Sequence, residues 1–539
     1  MTRTTSKGAT PVTEPSTRAP IGATMGEVLS AHAAGRPDAA ALTVAGQTWS
    51  YADLDEAATR LAAALVAAGL QPGDRVAMVA RNRREFVALH FAASRARVIL
   101  VGINWRLSPV EVAQILEDAG PALVIVEPEW APLLSNSDPA VPKVWLDGAA
   151  GQDYDQWLAA GDEPRARAAL AERPADPAAT VMMLYTTGTT GLPKGVMLTE
   201  TNMTAMIAEV STRWRMRPDM RFFAILPLFH VSGTGCFFST LHAGGEVVVP
   251  ADPGDIARTI DALGITHSAL VPTLISQLVH DPRAREFDLS SLEVLIYGAA
   301  PSGGTLIADA MALMPGCGFT QGYGLTETCG GVAVAPYRKH GDVDDRPGTV
   351  GQATTHYEFR IVDPATLEDV PPGTDGEVWV RGPQNALGYW HRPEETAQSF
   401  LPDGWFRTGD IGVLDDDGYL YLRDRLKDMI ISGGENVYSV EVESALMTHP
   451  HVLEAAVYGI PDERWGETVK AVVAVAPGSG VTADDLIGHV RTRLARYKCP
   501  RVVEFVDALP KSGSGKIIKH GLRARDRAAG MPESAPAGG

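Results

Sequence analysis

The sequence predicts an α/β fold: a large N-terminal domain of parallel-sheet α/β subdomains joined to a β-rich subdomain, then a smaller unit. Three observations carry it. Apolar periodicity alternates between helix and strand spacing through residues 54–297. From about Gly348 to Leu422 it shortens to strands with turn signals. A charged stretch, Arg423 to Asp428, then precedes a new apolar pattern.

Leu54, Ala58, Leu61 and Leu65 share one helical face; Arg75–Ala80 reads as a strand, Glu85–Ala93 as a helix and Val98–Val101 as a strand. Such βαβ traffic implies a parallel sheet covered by helices. Strands resume at Phe222–Leu226, Glu246–Val249, Ser268–Val271 and Val294–Tyr297. In the β-rich part, Ile411 to Leu422 reads as a hairpin turning at Asp417-Gly418. No repeat at solenoid or propeller spacing is visible.

At 539 residues and 45% hydrophobic, the chain has the length for roughly two to four domains with large cores. A formal net charge of −18 argues against a general nucleic-acid binder, so an anionic ligand must meet a local basic site. Cys236, Cys317, Cys329 and Cys499 stand far apart with no CxxC, which points to buried small hydrophobes in a reducing compartment rather than disulfides or zinc ligands. Residues 1–23 lack the apolar stretch of a signal peptide, and no later segment is long and apolar enough to cross a bilayer. The expectation is a soluble cytoplasmic protein with disordered ends.

Two lysine-bearing glycine loops suggest phosphate chemistry driven by ATP. The first, Tyr185 to Gly195 (YTTGTTGLPKG), offers hydroxyls, backbone N–H groups freed by glycine, and the cation Lys194. The second runs from Pro510 to Ile517 (PKSGSGKI). Neither is a Walker A motif, because Pro193 and Pro510 stand where that motif needs glycine. The first loop follows the apolar run Val181–Tyr185, so it hangs from a buried strand, which favours phosphate binding over a plain flexible connection. Further on, Gly433 and Gly434 beside a strand end allow either a tight turn or close approach of a ligand.

Thr186–Gly195, Leu226–His230 (LPLFH), Tyr297–Pro301 (YGAAP), Gln321–Glu327 (QGYGLTE), Trp405–Asp410 (WFRTGD), Arg425–Asp428 (RLKD) and Gly515-Lys516 follow one another in order. This set resembles the adenylate-forming superfamily of acyl-CoA synthetases, luciferases and nonribosomal adenylation domains, over roughly Gly26 to Arg525. Lys427–Tyr438 and Pro461–Glu467 are most similar to bacterial fatty-acyl-CoA synthetases and related carboxylate–CoA ligases.

The resemblance implies ATP, Mg²⁺ and coenzyme A, and a small-molecule carboxylic acid converted first to acyl-AMP and then to acyl-CoA. Thr186, Thr187, Gly188, Thr189, Thr190, Gly191 and Lys194 would hold the β- and γ-phosphates, and Glu327 would bind the metal. Lys516 would bridge the carboxylate and α-phosphate. Asp410 and Arg425 would take the ribose and Tyr323 would stack on the adenine, with Gly298, Ala299, Ala300 and Pro301 opposite. Gln321, Gly322, Gly324 and Thr326 belong to the same nucleotide motif. His230 would gate and orient the carboxylate; a general base is not needed for an acid already ionised at neutral pH.

The implied architecture is a tail (1–23), an N-terminal adenylation domain (24–424), a hinge (425–427) with Lys427 at its centre, a small mobile α+β C-terminal domain (428–527) and a second tail (528–539). Rotation would bring Gly433 and Gly434 to the pantetheine. Arg464 and Lys470 are the available cations for the CoA phosphates. Many members of the family it resembles have Thr-His after the first loop, where this chain has Thr199-Glu200. Arg213, Arg215, Arg217 and Arg221 surround Trp214; a solvated helix end is favoured over a face for an anionic membrane.

The acyl pocket is expected near His230–Phe237, Val271–Thr273, Tyr297–Ala300 and Cys329–Gly331, many of them small or apolar. A medium- or long-chain fatty acid or another hydrophobic acid is expected. Aryl or cinnamate-type acids and loading of a separate carrier protein stand as alternatives, with a luciferase or an inactive nucleotide sensor behind them.

Overall fold

The computed structural model describes residues 23–148, 152–187, 193–299, 304–433, 435–462, 464–511 and 517–528. Among these residues the strands form three sheets. The first has seven strands, of which Arg75–Val79, Ile99–Gly102, Leu123–Val126 and Thr180–Thr187 run parallel through its centre. Their near-continuous apolar runs are what a parallel sheet covered on both faces requires. Thr180–Thr187 then pairs antiparallel with Pro193–Thr199, placing Thr186 opposite Lys194 and Thr187 opposite Pro193 at the base of the first glycine loop. A Cβ on Gly195 would come 2.7 Å from Met183 Sδ, so a larger residue in this hairpin has to displace that side chain.

The second sheet has thirteen strands. Its parallel centre comprises Ala40–Val44, Glu246–Val249, Arg221–Phe223, His267–Leu270, Val294–Gly298 and Gly318–Leu325. The β-rich part is hydrogen-bonded onto the same sheet through Gly330–Val334 and Gly351–Ala353. The expected strand at 222–226 is shorter than anticipated. Pro227 has no N–H for a ladder, and the chain leaves the sheet to start the Val231–His242 helix. The strand at 267–270 stops for the related reason that Pro272 opens the helix Pro272–His280.

The hairpin comes out as expected: Trp405–Leu414 and Tyr419–Arg425 pair antiparallel, with Gly418 at φ 77° in the turn. Beyond it lies a small α+β C-terminal domain, a five-stranded sheet centred on Val452–Asp462 and Gly466–Val475 and packed against Ser439–Met447 and Ala483–Arg491. Tyr438 OH donates to Asp375 Oδ2 (2.9 Å) across the junction with the large domain. All four cysteines are buried, and burial pushes the Cys236 and Cys317 thiols up to about 12, which suits packing rather than nucleophilic work.

Candidate functional site

Asp410 and Arg425 are directly opposed on neighbouring strands. Counting back from the Leu414–Leu420 pair would put Asp424, a like charge, opposite Asp410; a one-residue bulge on the second strand brings Arg425 there instead. Arg425 Nε lies 2.7 Å from Asp410 Oδ1, and Tyr323 OH donates to Oδ2 at 2.6 Å. Asp410 is 5% exposed and Tyr323 8%, so these two are shielded from water, whereas the Arg425 side chain is 42% exposed. Burial, with the Asp410 carboxylate beside it, holds the Tyr323 hydroxyl well above its ordinary range and keeps it a donor. A pairing of Arg425 with Asp428 alone is not what forms: Asp428 is held by Arg523 at 2.7 Å.

A second cluster lies at the first loop. Tyr389 OH donates to Glu327 Oε1 (3.1 Å), and Lys194 Nζ sits 5.1 Å from the centre of the Tyr389 ring. The backbone around Tyr389 is laced onto the loop's outgoing strand: Leu387 N–H donates to Met197 O, Met197 N–H to Gly388 O and Trp390 N–H to Gly195 O. Ala386 N–H donates to Glu327 O (2.8 Å). Asp118 fastens the same region by accepting from Tyr185 OH (2.7 Å) and Arg392 (2.9 Å). Tyr389 was not singled out from the sequence, although Gly388-Tyr-Trp390 is an aromatic pair beside glycine in a loop. Among the described residues no group of three ligating side chains could hold a metal. A single half-buried carboxylate such as Glu327 fits Mg²⁺, which keeps waters and substrate phosphates as its other ligands.

His230 caps the Val231–His242 helix, its Nδ1 accepting from Ser232 N–H (3.3 Å). With that nitrogen accepting, the neutral ring carries its proton on Nε2. Ala299 (φ 65°) and Cys329 (φ 53°) are left-handed without being glycine, strain of the kind that collects at ligand sites. Gly298 pairs with Gly322, and a Cβ on Gly298 would come 2.3 Å from Gly322 O, so only glycine fits. Gln321 pairs with Tyr297 in the same ladder; Gly324 follows a bulge after Tyr323, and Thr326 is buried. Gly188, Thr189, Thr190, Gly191, Ala300, Pro301, Gly434 and Lys516 lie outside the described residues.

One expectation changes. Lys470 is not available for CoA phosphates, because it is 2% exposed and paired with Glu504 and Asp526, each at 2.8 Å. Arg464 is exposed and lies 4.7 Å over Trp465, whose ring Arg501 also covers at 4.7 Å; Gly433 (φ 65°) forms a turn against that tryptophan. Glu200 faces the Met25–Gly35 helix, accepting Met25 N–H at 2.9 Å. The arginines around Trp214 each have a partner: Arg213 the Ala353 carbonyl, Arg215 the Tyr337 ring, Arg217 Asp219 and Glu293, and Arg221 Glu246. Trp214, Met216 and Met220 are buried, while Arg215 is exposed. Lys427 is exposed in a turn where Asp428 and Met429 N–H both donate to Arg425 O.

Fold and site together define a nucleotide-binding α/β enzyme with a separate small domain. The model of the AMP-binding enzyme family matches residues 29–390 and that of the AMP-binding enzyme C-terminal domain residues 441–516. The chain belongs to this family, the adenylate-forming superfamily. It is 40% identical to the feruloyl-CoA synthase of an Amycolatopsis species over 91% of this chain and 96% of the relative. It is 36% identical to the long-chain-fatty-acid–CoA ligase FadD13 of Mycobacterium tuberculosis over 88% and 92%. The anthranilate CoA ligase AuaEII, solved with anthranoyl-AMP, superposes with a TM-score of 0.83 at 28% identity, covering 95% of this chain and 99% of that one.

Proposed function

We propose that the chain is an AMP-forming carboxylate–CoA ligase. A carboxylate oxygen attacks the α-phosphorus of ATP, giving acyl-AMP and pyrophosphate; the thiol sulfur of CoA then attacks the acyl carbonyl, and AMP leaves. The observation that carries this reading is the Asp410–Arg425–Tyr323 cluster, a shielded carboxylate with two fixed donors, in the place of the family's nucleotide motif.

In the first step two anions must meet, so positive charge has to stand where negative charge builds. Thr186, Lys194 and the loop between them supply it at the β- and γ-phosphates, and Lys516 at the α-phosphate and carboxylate. Asp410 and Arg425 hold the ribose, and Tyr323 with Gly298 and Ala299 bounds the adenine. Glu327 would hold Mg²⁺, which supplies neutralisation of phosphate charge. His230, fixed through Nδ1, orients the acid rather than removing a proton.

Turnover between the steps uses residues 425–427 as a hinge, Lys427 at its centre, between a 24–424 domain and a 428–527 domain. The turn would withdraw Lys516 and bring Gly433, Gly434 and Arg464 to the CoA arm. The acid is hydrophobic, from the fatty or aryl class, and the enzyme works in the cytoplasm. No helix among the described residues is long and apolar enough to cross a membrane. Binding an anionic lipid surface through Arg213, Arg215, Arg217 and Arg221 would have to compete with their internal partners, so the acid is taken to arrive from solution.

Pyrophosphate release across aliphatic and aryl acids, with and without CoA, tests the reading. Acid-dependent release followed by CoA-dependent AMP supports it; no AMP from any acid in the presence of magnesium would overturn it. Lys516→Ala should lose acyl-AMP formation far more than thiolysis of supplied acyl-AMP.

A further inference from the structure

Asp118 stands in the last turn of the helix Pro109–Ala119, a turn that holds no basic residue. The partial negative charge at a helix C-terminus disfavours a carboxylate there, so this one has to be held from outside its own helix. Its side chain is 15% exposed. Oδ2 accepts from Tyr185 OH at 2.7 Å, Oδ1 lies 2.9 Å from the Arg392 guanidinium, and the backbone carbonyl accepts from Trp390 Nε1 at 3.1 Å. The helix end is itself anchored to the central strand Arg75–Val79, because Arg75 donates to the carbonyls of Ala119 (2.8 Å) and Gly120 (2.7 Å).

The partners of Asp118 belong to two segments that meet at the first glycine loop. Tyr185 is paired with Gly195 in the hairpin, next to the Thr186–Lys194 pair. Trp390 and Arg392 follow Tyr389, whose ring stands beside Lys194 and whose hydroxyl reaches Glu327. Burial, and after it the Asp118 carboxylate, holds the Tyr185 hydroxyl above its ordinary range, so it stays a donor. Bonds from a hydroxyl and a guanidinium to one carboxylate are charge-assisted, which makes them strong and directional. The ribose cluster is held separately, by Tyr323, Asp410 and Arg425 on one another.

We propose that Asp118 is a positioning residue for the triphosphate and metal side of the site. By tying Tyr185 to Arg392 it sets where Lys194 stands relative to Glu327, without itself touching the nucleotide. The inference rests on the ligase reading and deepens it: a residue outside the motifs read from the sequence supplies part of the alignment that phosphoryl chemistry demands.

ATP and AMP separate this role from plain support of the fold, because AMP lacks the β- and γ-phosphates that Lys194 and Glu327 would serve. The purified full-length protein is titrated calorimetrically with a non-hydrolysable ATP analogue and Mg²⁺, and in parallel with AMP. Asp118→Ala should weaken binding of the ATP analogue by about tenfold while AMP stays within about twofold of wild type. Asp118→Asn, whose carbonyl still accepts from Tyr185 while its neutral amide cannot pair with Arg392, should lie between. Equal weakening of both nucleotides by Asp118→Ala, or of neither, overturns the proposal. Should Asp118→Ala be insoluble, Tyr185→Phe and Arg392→Gln are titrated in the same way, and an unchanged ratio of the two affinities in both overturns it too. Wild-type protein that binds neither nucleotide would strike the ligase reading instead, so the two failures are distinct.

Discussion

Arg425 Nε lies 2.7 Å from Asp410 Oδ1 across two antiparallel strands, two residues before the exposed Lys427. The proposed ribose site and the proposed hinge are therefore built on one short stretch of backbone. Whatever holds Arg425 in place also holds the first residue of the proposed hinge.

Removing Asp410 leaves a guanidinium and a tyrosine hydroxyl facing each other without their acceptor. Asp410→Ala should weaken AMP binding by about 2–3 kcal/mol, because hydrogen bonds to a charged group are lost together. Tyr323→Phe removes a single bond to the carboxylate and should cost only about 1 kcal/mol. Calorimetric titration with AMP separates them; equal losses would mean that the carboxylate does not touch the nucleotide.

Tyr389 links Lys194 to Glu327 by two different faces of one side chain, the ring and the hydroxyl. Tyr389→Phe keeps the ring and frees the carboxylate, so the Mg²⁺ concentration for half-maximal adenylation should shift by about fivefold, near 1 kcal/mol. Tyr389→Leu also removes the contact with the Lys194 ammonium and should raise the KM for ATP further. Identical behaviour of the two variants would take the ring out of any part in placing Lys194, and a wild-type Mg²⁺ requirement in Tyr389→Phe would take the hydroxyl out of any part in placing Glu327.

Much of this was legible in the chain because burial writes itself into apolar runs. Glu246–Val249 is a strand over the residues anticipated, since its valines face covered layers on both sides. The 222–226 reading overran because Ala224 and Leu226 are buried beyond the end of the strand at Phe223, and an apolar residue looks the same either way. Asp410 and Arg425 stood out as motif residues, but their opposition depends on a bulge that no residue type announces. Lys470 was misread for a related reason. A lysine is almost never buried unless paired, and its carboxylate partner Asp526 is 56 residues away in sequence. Tyr389 acquires its meaning only from what packs against it.

The proposed hinge can be tested without disturbing the observed turn. Leu426, Asp428 and Met429 N–H groups all donate to backbone carbonyls, whereas no such bond from Lys427 N–H is among those described. Lys427→Pro therefore removes no donor the turn uses and mainly restricts backbone rotation. Acyl-AMP formation should stay close to wild type while thiolysis slows by at least tenfold in single-turnover assays. Unaltered thiolysis would take Lys427 out of the hinge.

Glu200 ties the first described helix to the hairpin that carries the glycine loop, and it does so as a carboxyl group almost wholly out of water. Burial pushes its pKa up to about 7 from the ordinary 4.5. The sign follows from which state binds the proton. Between about pH 4.5 and 7 the unfolded chain has lost the proton while the folded one keeps it, so stability falls as pH rises through this window and levels off above it. The whole penalty is roughly 3 kcal/mol. Glu200→Gln keeps an acceptor for Met25 N–H and carries no charge, so it should melt above wild type at pH 8 and converge with it near pH 4.5. Thermal melts at intervals across this range check it: parallel curves would mean that Glu200 ionises in the folded protein as readily as in the unfolded chain.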